Sequence, residues 1–154
     1  MPNTKAVGVA FSDPELVSGT TITSALLTSC ALVSPTITSG SVGASTLNIA
    51  VAKPAAAGTN QATATALSAG FSWVTAADAT KGVALPTGVA GLVVIVKNDD
   101  TANAVLKVYS ANDGNSAAIN AVASGTAYSM AAKTSVMFVA YSATQWFSVP
   151  LVAS

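Results

Sequence analysis

From Leu16 to Ala52 the chain carries no charged side chain, and most of its residues are Ser, Thr, Gly and Ala with single aliphatics set among them. Disordered sequence combines low hydrophobicity with high net charge, and this stretch has the reverse. Its side chains are too small and too evenly spread to bury a core alone. Such a segment predicts short strands that find their partners in other strands or other copies. The rest of the chain keeps the theme. Of 154 residues 8% are charged and 51% are hydrophobic, against about 25% charged in an ordinary globular domain. The length fits one domain, or a smaller domain with an extension.

Whole classes of function fall away. All six basic residues are lysines, at positions 5, 53, 81, 97, 107 and 133, and they form no cluster. Nucleic-acid binding draws on clustered Lys and Arg and is not expected. With no histidine, His-based triads, general bases and metal ligands are absent. A lone cysteine, Cys30, makes no internal disulfide or thiolate cluster and reads as a half-buried thiol. The best apolar run, Gly82 to Val96, is broken by Pro86, Gly88 and Gly91 and falls short of the about 20 residues a membrane helix needs. Ala6 to Phe11 is too short for a signal-peptide core. The expectation is a soluble protein made in the cytoplasm.

Thr21-Ile22-Thr23-Ser24 is echoed by Thr36-Ile37-Thr38-Ser39, with Gly19 before the first copy and Pro35 and Gly40 around the second. Alternating β-branched residues with Gly or Pro breaks predict short strands. If the repeat is real, it needs identical neighbours, as in a fibre shaft. Lys53 to Asn60 reads as a linker.

From Gln61 onward the pattern is β. Ala62 to Leu67 alternates Ala and Thr, and Phe71 to Thr75 alternates aromatic and polar. Gly91 to Lys97 and Ala104 to Tyr109 flank Asn98-Asp99-Asp100-Thr101-Ala102-Asn103, a run of turn residues. Pairing Asn98 with Asn103 sets Ile95 against Leu106 and Val93 against Val108 on an expected core face. In the last hairpin, pairing Tyr141 with Gln145 sets Val139 against Phe147 and Met137 against Val149, with Phe138 and Trp146 on the reverse face. Both faces are apolar, so the hairpin must be covered twice, by a second sheet of the same chain or by another subunit. Asn115 to Ser124 is one helical turn or a loop. The spacing of strands over Gln61 to Ser154 predicts a β-sandwich or jelly-roll-like domain.

Candidate sites weigh lightly. Asp99-Asp100, with Asn98, Asn103 and Asp113, lacks the alternate spacing and turn glycine of a calcium loop and reads as a turn. The carboxylates Asp13, Glu15, Asp78, Asp99, Asp100 and Asp113 suggest no dyad. Neither S-x-x-K nor G-x-S-x-G occurs. No catalytic residue, cofactor or metal is expected. Trp73, Trp146, Phe147 and Tyr109 read as core in preference to a sugar platform.

Ala84-Leu85-Pro86, Gly91 to Asn98, Leu106 to Tyr109, Ile119-Asn120 and Phe138 to Trp146 together resemble a β-rich module in structural proteins of tailed bacteriophages, found in capsid decoration (cement) and head-fibre proteins. The resemblance covers about Gln61 to Ser154, and the opening Lys5 to Pro14 is similar to the start of such proteins. It implies a homotrimer with an N-terminal attachment arm and a projecting C-terminal β domain. The resulting expectation is an all-β chain, with an extended arm of short strands over 1–60 for capsid attachment and trimerisation, and a knob over 61–154. It would bind the major capsid protein on the outer surface of the virion and stabilise the shell without enzymatic activity. Ile22, Leu26, Leu27, Val33, Ile37, Val42, Phe138 and Trp146 are the expected contacts with other copies or the capsid. The alternative is a head or tail fibre contacting host glycans, for which exposed Trp or Tyr would speak. The low charge also suits close-packed interfaces, where an unpaired ion would be costly.

Overall fold

A computed structural model describes residues 49–68, 70–99 and 104–151. The echoed Thr-Ile-Thr-Ser copies, Cys30, and the expected contacts Ile22, Leu26, Leu27, Val33, Ile37 and Val42 lie outside the described residues, as does most of the expected arm.

The described chain is all-β, and no helix occurs in it. Its first six strands alternate between two sheets. Sheet 1 receives β1 (Val51–Ala52), β3 (Gly70–Val74) and β5 (Val93–Asn98), and sheet 2 receives β2 (Thr65–Ala66), β4 (Gly82–Ala84) and β6 (Leu106–Tyr109). Within each sheet these strands pair in parallel, so Val51, Phe71 and Ile95 stand side by side in one, and Thr65, Val83 and Val108 in the other. Each pass through both sheets is one coil, and three stacked coils make a β-solenoid.

The C-terminal third closes the stack differently. β8 (Tyr128–Met130) lies antiparallel to β6, β9 (Ser135–Ser142) antiparallel to β5, and β10 (Gln145–Leu151) folds back on β9. A two-residue strand β7 (Ala118–Ile119) joins the free edge of β10, giving the orders β1-β3-β5-β9-β10-β7 and β2-β4-β6-β8.

The sandwich or jelly-roll expectation is therefore corrected. Both architectures rest on antiparallel neighbours, whereas half of this fold is a parallel stack. Three smaller expectations change with it. The hairpin joining β5 and β6 does not form, because β5 pairs with β3 and β9 while β6 pairs with β4 and β8. Its core assignment shifts too: Val94 and Val96, not Val93 and Ile95, are the buried apolar residues of β5. Lys53 to Asn60 is no linker. Ala55 bridges Thr75, Ala57 bridges Gly82, and Ala56 is buried, so this segment carries the first coil from one sheet to the other.

The final hairpin matches its expected register, with Val139 against Phe147 and Met137 against Val149. An irregularity at Gln145/Trp146 brings Gln145 opposite Ser142 in place of Tyr141.

The two sheets share one core. Sheet 1 supplies Val74, Val94, Val96, Val136, Phe138, Ala140 and Trp146, and sheet 2 supplies Val83, Leu106, Val108 and Met130. Tyr128 of β8 sets its ring edge-on to Phe138 of β9 at 5.5 Å and 87°, an arrangement aromatic rings favour.

Close stacking leaves no room at Gly82. A methyl group there would stand 2.7 Å from Tyr109 Cε2 and 2.8 Å from the Lys107 carbonyl oxygen. The Tyr109 ring is held in turn by its hydroxyl, which donates to the Thr59 carbonyl at 3.1 Å. Gly82→Ala is expected to cost about 1–3 kcal/mol through overpacking, read as a lower urea midpoint.

Candidate interaction face

Strand alternation assigns each residue of sheet 1 to one of its two faces. The inner face carries Ser72, Val74, Val94, Val96, Asn98, Val136, Phe138, Ala140 and Trp146, all buried. The outer face follows from the register. One row runs Val51, Phe71, Ile95, Met137, Val149 across five strands. Beside it lie the rows Val93, Val139, Phe147 and Trp73, Lys97, Ser135, Leu151.

This outer face is apolar and open. Val51 is 68% exposed, Phe147 47% and Trp73 39%, and Val93, Val149 and Leu151 are exposed as well. Tyr141 at 72% exposure packs edge-on to Phe147, with centroids 6.0 Å apart. The Lys97 ammonium donates to the Lys133 carbonyl at 2.6 Å, and Lys53 Nζ stands 5.7 Å from the Trp73 ring centre. By contrast, the outward positions of sheet 2 are Gly82, Lys107 and Ser129 in one row and Ala66, Ala84 and Tyr109 in the next.

The expected contacts Phe138 and Trp146 sit on the inner face. Each has 0% exposure within the single chain: Tyr128 of sheet 2 lies against Phe138, and Gly88 and the β7 pairing lie against Trp146, so neither has surface to offer a neighbour. The sequence identified a hairpin apolar on both sides. The second sheet of the same chain covers the Phe138 side, and the Phe147 side is the open one. Of the four aromatics considered for sugar stacking, Trp146 and Tyr109 are buried, while Trp73 and Phe147 reach the surface.

A shallow depression of about 350 Å³ lies elsewhere, lined by Gln61, Ala66, Leu85, Thr87, Asn112 and Asp113 among others. The Gln61 amide nitrogen is already engaged with the Ser110 and Ala111 carbonyls and the Ser124 hydroxyl. Asp113 at the rim is held below the usual carboxylate range, first by the Asn115 backbone N–H and then by the Thr87 hydroxyl. Among the described residues no three His, Cys, Asp or Glu side chains gather as a metal site, and no helix is long and apolar enough to cross a membrane.

Asp78 closes the β3 to β4 connection. Its Oδ1 accepts from the Thr80 hydroxyl at 2.7 Å and from the Thr80 and Lys81 backbone N–H groups, and its Oδ2 meets Lys81 Nζ at 3.0 Å. The Thr80 hydroxyl first, and then Lys81, hold its carboxyl far below the ordinary range. A lowered carboxyl contributes stability that is present above its unfolded value of about 4 and is lost as pH falls toward its folded value. With no histidine in the chain, the thermal midpoint is expected to hold nearly level from pH 8 to 5. It should decline below about pH 4, where Asp78 and Asp113 take up protons in the unfolded chain before they do in the folded one, followed by circular dichroism.

Comparison with family models, with curated proteins and with solved structures returned no match.

Proposed function

We propose that the chain is a non-enzymatic structural protein of a virion, which decorates the outer capsid shell as a homotrimer and stabilises it. The observation that carries this reading is the open apolar face of sheet 1. Monomeric proteins rarely leave a continuous patch of several hundred Å² uncovered unless it docks to something. The resemblance to phage decoration and head-fibre modules supplies the setting, with the major capsid protein and further copies of the chain as partners. A chain poor in charge suits a permanent interface, where desolvated ions are costly.

The fibre alternative draws on Trp73 and Phe147, whose rings reach the surface. A glycan site also needs convergent polar groups beside the rings. Lys97 lies beside Trp73 and Lys53 over its ring, but Phe147 has Val139 and Tyr141 as neighbours, so the two rings share no set of polar groups, which favours the decoration reading.

Electron cryomicroscopy of particles that copurify with the chain tests this proposal. Density for it on the outer shell at local three-fold axes is expected. Recovery of the chain only free of particles contradicts it.

A further inference from the structure

We propose that the outer face of sheet 1 is the surface through which copies of this chain associate, each covering the Val51-Phe71-Ile95-Met137-Val149 row of another. The inference rests on the reading of the chain as an assembling structural protein and names the surface involved.

Three observations select another copy as the occupant. The first is charge. Among the outward positions of the three rows the one ionic group is Lys97, and it is already bound to the Lys133 carbonyl at 2.6 Å. The Lys53 ammonium over the Trp73 ring is the other charge beside these rows. The rows hold no carboxylate, so a basic partner finds no complement, and the apolar row from Val51 to Val149 is matched by the same row of further copies. The second is shape. A pleated sheet face packs well on another sheet face about 10 Å away, and the open rows span five adjacent strands. The third is size. The two-residue β1 with β3, β5, β9 and β10, of five to eight residues each, at about 3.3 Å per residue and about 4.8 Å between strands, give a plan area on the order of 400 Å². Three such faces turned toward a common three-fold axis bury on the order of 1,000 Å² together, the size at which specific association begins.

The position of Phe147 makes the test clean. Its side chain points away from the core, so a charge there leaves the inner packing intact but is desolvated if a second copy covers it. Sedimentation velocity of the full-length purified chain at micromolar concentration is expected to give a multiple of the 15.1 kDa chain mass. Phe147→Lys, with Val149→Glu as a second variant, should keep the far-ultraviolet dichroism of the wild type and weaken association at least about a hundred-fold. Ser129→Lys, on the outer side of sheet 2, should leave the mass unchanged.

A wild-type chain that stays monomeric at 100 µM overturns the inference, even if it binds shells, because the shell is then the occupant. So does a Phe147→Lys variant that folds and keeps the wild-type mass, or an equal loss of assembly in Ser129→Lys. The measurement uses the chain alone. Failure to find it on particles would remove the virion reading and leave this surface assignment standing.

Discussion

Trp146→Ala is expected to cost about 3–5 kcal/mol, the range for deleting a fully buried aromatic side chain. Trp146 is the largest wholly buried side chain described. It faces Ala140 across the hairpin and Ile119 across the parallel pair with β7, so a small residue and a branched one shape its space. Gly88 lies close beneath, since a methyl built there would stand 3.3 Å from Trp146 Nε1. Truncation opens a cavity that β7 and β10 cannot close without breaking their pairing. Trp146→Phe should cost much less, because it keeps a ring and removes an indole N–H that has no hydrogen-bond partner. Urea unfolding with an unchanged slope separates lost stability from a changed unfolded state.

Asn98→Ala is expected to cost about 2–4 kcal/mol, measured in the same way. Asn98 ends β5 on the inner face of sheet 1 and is wholly buried. Its amide nitrogen reaches the Ala104 carbonyl at 3.0 Å and the Met130 and Ala131 carbonyls at 3.2 Å each. It thus ties the end of a strand in one sheet to the end of β8 in the other. Removing the amide takes a donor from the carbonyl of the buried Met130 and cuts the tie between the two sheets, and that loss outweighs the few atoms removed.

Asn98 also shows where sequence reading stops. Asn followed by two Asp reads as a turn because short polar side chains mimic backbone turns, and a hairpin is the simplest outcome. Here the chain instead crosses to the opposite sheet. Parallel coils pair residues about twenty apart, and no local signal marks that register, whereas a tight hairpin fixes its own. That is why the Phe147 to Val139 pairing was legible and the Phe71 to Ile95 pairing was not. Alternation in Phe71-Ser72-Trp73-Val74 likewise revealed a strand but not which face met the core. Ser72 proved buried and Trp73 exposed, because the inner side of sheet 1 is crowded by Phe138 and Trp146. The apolar hairpin correctly announced two covers, and its open side lies on Phe147 and Val149 in place of Phe138 and Trp146.

The central claim is that the outer face of sheet 1 is covered in the working protein. The chain holds two tryptophans, one wholly buried inside the chain and one 39% exposed on that face, so acrylamide quenching of native fluorescence reports the face directly. Both tryptophans should resist quenching at concentrations where the chain is assembled, and Trp73 alone should become quenchable on dilution and in Phe147→Lys. If Trp73 is as quenchable in the concentrated wild-type protein as in that variant, the face is open and the claim is wrong.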